Sequence, residues 1–307
     1  MSKVTFEELL DAGCHFGHLR RKWNPAMAQY IFMEKNGIHI LDLNKTLVKL
    51  DEACAAAKQI SKSGRKILFV ATKKQAKETI AELAKSVNMP YVTERWPGGM
   101  LTNFFTIRKA VKKMSDIDKM MSSGQFDNLA KREKLQIQRE RAKLEKNLGS
   151  ISDLSRLPAA VFIVDILKEH IAVAEARRLN ITTFAMVDTN SNPNLIDFPI
   201  PSNDDASKSI AVIVKALCDA IAEGAAERLL DKEAQGEEGD DIVDTDVVLE
   251  EEEEQLPVAE ETTEAKGVKK VKDVASDEEA ATKRKRIPTK KTPAKAPAKT
   301  TKSPAKK

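Results

Sequence analysis

Cysteine is scarce in this chain. There are three, Cys14, Cys54 and Cys218, scattered through 307 residues with no Cys-x-x-C. Such a set offers neither a disulfide framework nor a paired-thiol metal motif, and it suits a reducing compartment. No run of 18 apolar residues occurs, which excludes a membrane-spanning helix of ordinary length. The opening "MSKVTFEELLDAG" has no apolar signal region and reads directly as a helix. Glycine-rich phosphate motifs are missing: there is no G-x-G-x-x-G and no G-x-x-x-x-G-K-[ST]. G-x-S-x-G is missing as well, which removes the commonest hydrolase elbow. A soluble cytoplasmic protein with no membrane partner is the expectation.

What is plentiful is charge, and it is unevenly placed. The net charge of +4 hides a body, 1–235, that carries +7. Glu237 to Glu264 holds 14 acidic residues and no basic one, whereas Thr282 to Lys307 holds 11 basic residues and no acidic one. A basic body favours an anionic partner, most often nucleic acid. From Ala234 onward there is no aromatic residue, and the end reads "TPAKAPAKTTKSPAKK". That composition cannot bury enough apolar surface to fold alone, so 234–307 is expected to be a disordered tail, acidic and then basic.

Along the body, apolar patterning alternates between helix and strand. Thr5 caps a short helix that Gly13 ends, and an irregular basic segment "HFGHLRRKWNP" follows. Asn36-Gly37 between apolar runs marks a hairpin. Residues 46–62 form a helix, "KILFVA" a strand buried on both faces, and about 74–87 a further helix. "PYVTE", "AVFIVD", "ITTFAMVD" and "DFPIPS" continue the strands, with helices at 168–179 and about 205–230. This order gives a parallel sheet covered by helices. Residues 104–149 break the rhythm. Ile107, Val111, Met114, Ile117 and Met121 run out at helical spacing, "SSGQFDN" turns, and Leu129, Ile137, Leu144 and Leu148 run back. The expected layout is an α/β body at 1–103 and 150–233, an inserted antiparallel helical hairpin at 104–149 with coiled-coil character, and the tail at 234–307.

Candidate chemistry is thin except for the basic groups. His15 and His18 lie near Cys14 with no second ligand cluster close in sequence, so packed or hydrogen-bonded histidines are expected rather than a metal. Asp165 and Asp188 each end a strand, where they serve as catalytic acids or as turn caps. No nucleophile, base and orienting group assemble, and no cofactor is expected. Arg20, Arg21 and Lys22 precede Trp23, Lys73 and Lys74 open a helix, Arg95 precedes the loop "WPGG", and Arg108, Lys109, Lys112 and Lys113 line a helix. Together they offer phosphate contacts to RNA, against the plainer reading of solvated charged faces.

The segments "LLDAGCHFGH", "ILFVATKKQAKE", "MPYVTERWPGGMLTNF" and "LEKNLGSI" fall in one order with "RKWNP", "EARRLNI", "VDTN" and "NDD". In that order and spacing, from about residue 3 to 228, the chain resembles the bacterial small-subunit ribosomal protein S-two family. The resemblance implies a flavodoxin-like three-layer α/β/α body with a protruding helical hairpin and no catalytic role. It implies contact with small-subunit ribosomal RNA and neighbouring ribosomal proteins, and help in docking ribosomal protein S-one during translation. It further implies that Trp96 wedges the junction between body and hairpin, that Gly98 and Gly99 permit the bend, and that Asn103 caps the outgoing helix. A minority reading has Trp96 stack on a base.

Two departures stand out: Pro97 where the family commonly has leucine, and "VDILKEH" without the proline usual after its aspartate. A flavodoxin-like nucleotide-binding protein or enzyme is the alternative from another class, and a histone-like DNA binder rests only on the tail.

Overall fold

The computed structural model describes residues 4–123, 126 and 129–234, so the tail beyond Ala234 lies outside the described residues. Helix α1 (Phe6–Asp11) starts from a capping box. The Thr5 hydroxyl accepts the Glu8 N–H, and the Glu8 carboxylate accepts the Thr5 N–H. Strands β1 (Phe16–Leu19), β2 (Ile31–Lys35) and β3 (Ile38–Leu41) make a small antiparallel sheet in the order β1-β3-β2. Asn36 and Gly37, both at positive φ, form the expected tight turn. β1 corrects the sequence reading, which took its residues as irregular. A four-residue edge strand containing Gly17 and His18 has no apolar alternation to announce it; its pairing to β3 is what makes it a strand.

The body sheet is wholly parallel. β4 (Ile67–Val70), β5 (Tyr91–Val92), β6 (Ala160–Val164), β7 (Thr182–Val187) and β8 (Phe198–Pro201) lie in the order β5-β4-β6-β7-β8. The chain moves one way from β4 to β5 and the other way from β4 to β6 onward, so a topological switch point falls between β4 and β6. Successive side chains divide between two cores. Ile67, Phe69, Phe162, Val164, Phe184 and Met186 face α2 (Leu43–Lys62), α3 (Lys74–Ser86) and α7 (Ser207–Ala234). Leu68, Val70, Val161, Ile163, Ala185 and Val187 face α6 (His170–Arg178) and the segment around Trp96. This is a three-layer α/β/α arrangement, and it fits a flavodoxin-like fold. α2 and α7 pack closely because Gly224 has no side chain: a Cβ there would lie 2.4 Å from the Lys58 carbonyl oxygen.

Helices α4 (Phe104–Ser122) and α5 (Lys131–Leu148) leave and re-enter the body, joined by ion pairs from Lys113 to Glu140 and from Arg141 to Asp118. Leu148, Ile151 and Leu154 then rejoin the second core. At the hairpin's root, Glu94 pairs with Lys77 of α3 at 3.2 Å and with Lys146 of α5 at 3.3 Å, tying the returning helix to the body.

Candidate nucleic-acid interface

The loop before α4 is organised by one carboxylate. Glu175 sits on α6, only 8% exposed. Its Oε1 accepts the Gly99 N–H at 2.7 Å and the Trp96 indole N–H at 3.2 Å. Its Oε2 accepts the N–H of Leu101 at 2.9 Å and of Thr102 at 3.1 Å, and the Thr102 hydroxyl at 3.2 Å. Burial works to raise the Glu175 pKa, but the donors of Gly99, Thr102, Leu101 and Trp96 outweigh it and hold the carboxyl below its ordinary value. Trp96 is therefore a buried wedge at the junction, and its ring is not presented for base stacking. Gly99 takes φ +86 and requires glycine; Gly98 has no such φ, and a Cβ there would meet nothing within 4 Å. Asn103 stands at the N-cap position, yet its side chain accepts from the Thr106 hydroxyl at 2.8 Å rather than from a backbone N–H. Its expected capping bond is thus replaced by a side-chain pair.

The carboxyl ends of the parallel strands carry a second cluster. Because β4, β6, β7 and β8 point the same way, Lys73, Asp165, Asp188, Asp204 and Asp205 gather at one edge. Lys73 Nζ lies 3.0 Å from Asp165, 2.8 Å from Asp204 and 2.9 Å from Asp205. Burial opposes the Lys73 ammonium, but Asp204, Asp205 and Asp165 more than compensate and hold its pKa above the ordinary value. Its charge is directed to these internal carboxylates. The cluster lies at the carboxyl ends of the strands, the edge where an open α/β sheet commonly binds ligands. Asp165 has φ +70, and its carboxylate accepts the N–H groups of Leu167 and Lys168. That is the turn that lacks the family's proline.

His18 joins this cluster from β1. Its Nδ1 lies 2.8 Å from Asp188, and its Nε2 lies 3.5 Å from Asp205. The hydrogen bond to Asp188 raises its pKa against burial. Burial, with Asp188 and Asp165 nearby, pushes Asp204 up to about 7. Asp204 Oδ2 is fully buried without a hydrogen-bond partner among the described residues. His18, Asp188 and Asp204 each bring one donor atom within 4.8 Å of the others, a nitrogen-and-carboxylate set that can close on a divalent cation. Of the three residues that the sequence places together, Cys14, His15 and His18, only His18 enters this set. Cys14 is buried, and the His15 ring packs tilted against Phe16 with centroids 4.0 Å apart, with burial lowering its pKa.

The remaining basic candidates are surface groups. Arg20, Arg21, Lys22, Lys74, Arg95, Arg108, Lys109, Lys112 and Lys113 are all exposed. Arg20 pairs loosely with Glu34 at 3.5 Å, Arg108 donates to the Ser155 carbonyl at 3.1 Å, and Lys109 lies 4.4 Å over the Phe105 ring. Among the described residues, no helix is long and apolar enough to cross a membrane.

The fold and site define a three-layer α/β protein with an internal ion cluster at the carboxyl ends of its strands and exposed cations on its surface. The chain belongs to the family described as ribosomal protein S2, whose model matches residues 9–224. It is 70% identical over 232 residues to the small ribosomal subunit protein uS2 of Porphyromonas gingivalis, covering 76% of this chain and 83% of that one. It is 68% identical over 240 residues to the uS2 of Phocaeicola vulgatus, covering 77% and 86%. The uS2 of Bacteroides fragilis is 66% identical over 240 residues, with the same coverage of 77% and 86%.

Proposed function

We propose that this chain is a structural component of the small ribosomal subunit that binds small-subunit ribosomal RNA. In this reading it works in the cytoplasm, contacts neighbouring small-subunit proteins, supports docking of ribosomal protein S-one, and performs no catalysis. It has an α/β body at 1–103 and 150–233, and the hairpin 104–149 serves as an extension that reaches RNA or protein beyond the body. The observation that carries it is the separation of charge. Lys73 is consumed by internal carboxylates, whereas Arg21, Lys22, Arg95 and the α4 row Arg108, Lys109, Lys112 and Lys113 stand exposed. Exposed cations suit phosphate contact, even where one of them, Lys113, also pairs with Glu140.

Sedimentation of a lysate containing tagged full-length chain tests the reading. Cofractionation with small subunits, resistant to DNase and lost on RNase treatment, is expected. A chain that stays at the top of the gradient, or that leaves the subunit fraction on DNase treatment, refutes it.

A further inference from the structure

We propose that the shallow pocket framed by Leu19, Arg20, Arg21, Trp23 and Gly37 takes one unpaired RNA nucleobase, stacked on the Trp23 indole with its flanking phosphates on the two arginines. The proposal rests on the RNA-binding reading above and assigns it a specific site. The pocket is an open depression of about 710 Å³. Trp23 is 37% exposed, while the other tryptophan, Trp96, is buried. On one side the indole packs against His39, with ring centroids 5.3 Å apart. His39 is buried, and neither of its ring nitrogens has a hydrogen-bond partner among the described residues. His39 therefore backs the indole from inside and leaves the opposite face of Trp23 toward solvent.

The frame is built before any ligand arrives. The Arg20 N–H donates to the Gly37 carbonyl at 2.9 Å, so the basic turn is fixed to the β2–β3 turn. The Asn24 N–H donates to the Thr189 carbonyl at 2.7 Å, which anchors the other side of Trp23 to the body. A Cβ on Gly37 would meet nothing within 4 Å, so this wall is open backbone. Such preorganisation lowers the ordering cost of binding.

Charge selects the occupant. Arg20, Arg21 and Lys22 are consecutive; Glu34 lies 3.5 Å from Arg20, and Asp205 feels the charge of Lys22. An apolar protein side chain would fill the aromatic wall and leave these cations unused. A nucleotide brings a flat π face and a phosphate in one unit, which suits an exposed indole that shares a depression with two arginines.

The test uses the full chain, a short oligoadenylate, and tryptophan emission beside filter binding at several salt concentrations. Oligoadenylate is expected to quench the exposed tryptophan about twofold. Trp23→Ala is expected to weaken binding about tenfold with the salt slope unchanged, because stacking releases no counterions. Trp23→Phe should restore most of the affinity while losing the quench, which separates stacking from misfolding. Arg21→Ala should lower the slope by roughly 0.7. RNA retained on the filter with unaltered emission and with wild-type affinity in Trp23→Ala overturns the pocket while sparing the RNA-binding reading. No RNA binding by the wild-type chain overturns both. Quenching by an acidic phenylalanine peptide but not by RNA overturns the pocket in favour of a protein partner.

Discussion

Glu175 Oε1 accepts the N–H of Gly99 at 2.7 Å, across 76 residues of sequence. That bond fixes where the hairpin leaves the body. Gly99 can present its N–H there because φ +86 turns the peptide toward α6. Gly99→Val is therefore expected to cost about 1–3 kcal/mol, since a β-branched residue is strained at positive φ. Gly98→Ala is expected to stay within about 0.5 kcal/mol of wild type, because its Cβ would meet open space. Urea melts of the two variants check the contrast; equal destabilisation by both would show that the pair acts as a unit.

Glu175 also makes the junction sensitive to acid. Its folded pKa is depressed below the unfolded value of about 4.3. A group of this kind contributes stability that is fully present above the unfolded pKa and is lost as pH falls through the folded one. The window therefore lies below about pH 4.3. Glu175→Gln keeps an acceptor but turns an NH₂ toward N–H donors, at a cost of about 1–3 kcal/mol. Thermal melts at pH 7 and pH 3 should show the wild-type advantage over Glu175→Gln shrink at the lower pH.

The sheet was legible because "ILFV" and "AVFIV" are unbroken apolar runs, as strands buried on both faces require. Helices α4 and α5 were legible from the helical spacing of their apolar residues. The buried wedge of Trp96 followed from the family resemblance, but its anchor did not: Glu175 reads as one more charge on a helix surface until the fold brings it under the loop. The partners of Lys73 were hidden for a related reason. A lysine at a helix start suggests phosphate, and its partners Asp204 and Asp205 lie more than 130 residues away. The cation-competent set has the same character, since His18 meets Asp188 and Asp204 only through the β-strand order.

That set should respond to divalent cations and to pH together. With a folded pKa near 7 against about 3.9 unfolded, Asp204 holds a proton that the unfolded chain has lost. Its contribution to stability is full below about pH 4 and is lost as pH rises toward 7. A cation competes with that proton, so binding should tighten as pH rises through 7. Zn²⁺ is expected to raise the melting temperature of the full chain more at pH 8 than at pH 6, and Asp204→Asn should remove the effect. An equal rise in Asp204→Asn and wild type would place the ion elsewhere.

RNA affinity should separate the inward lysine from the outward ones. Lys109, Lys112 and Lys113 are exposed on α4, whereas the Lys73 side chain is 12% exposed and bound by three carboxylates. Each phosphate neutralised on a single strand contributes roughly 0.7 to the slope of log affinity against log salt. Replacing Lys109, Lys112 and Lys113 together by alanine is expected to lower that slope by roughly 2 with little change in stability, because these side chains bury no charge. Lys73→Met removes the cation at the centre of a buried acidic cluster and is expected to cost about 3 kcal/mol of stability. Wherever it remains folded, its salt slope should equal that of wild type. Filter binding of small-subunit RNA across a salt series, beside urea melts, reads both quantities on the same variants. A slope unchanged by the α4 triple substitution would remove this helix from the RNA interface, and a slope lowered by Lys73→Met would mean that the ammonium leaves its carboxylates when RNA binds.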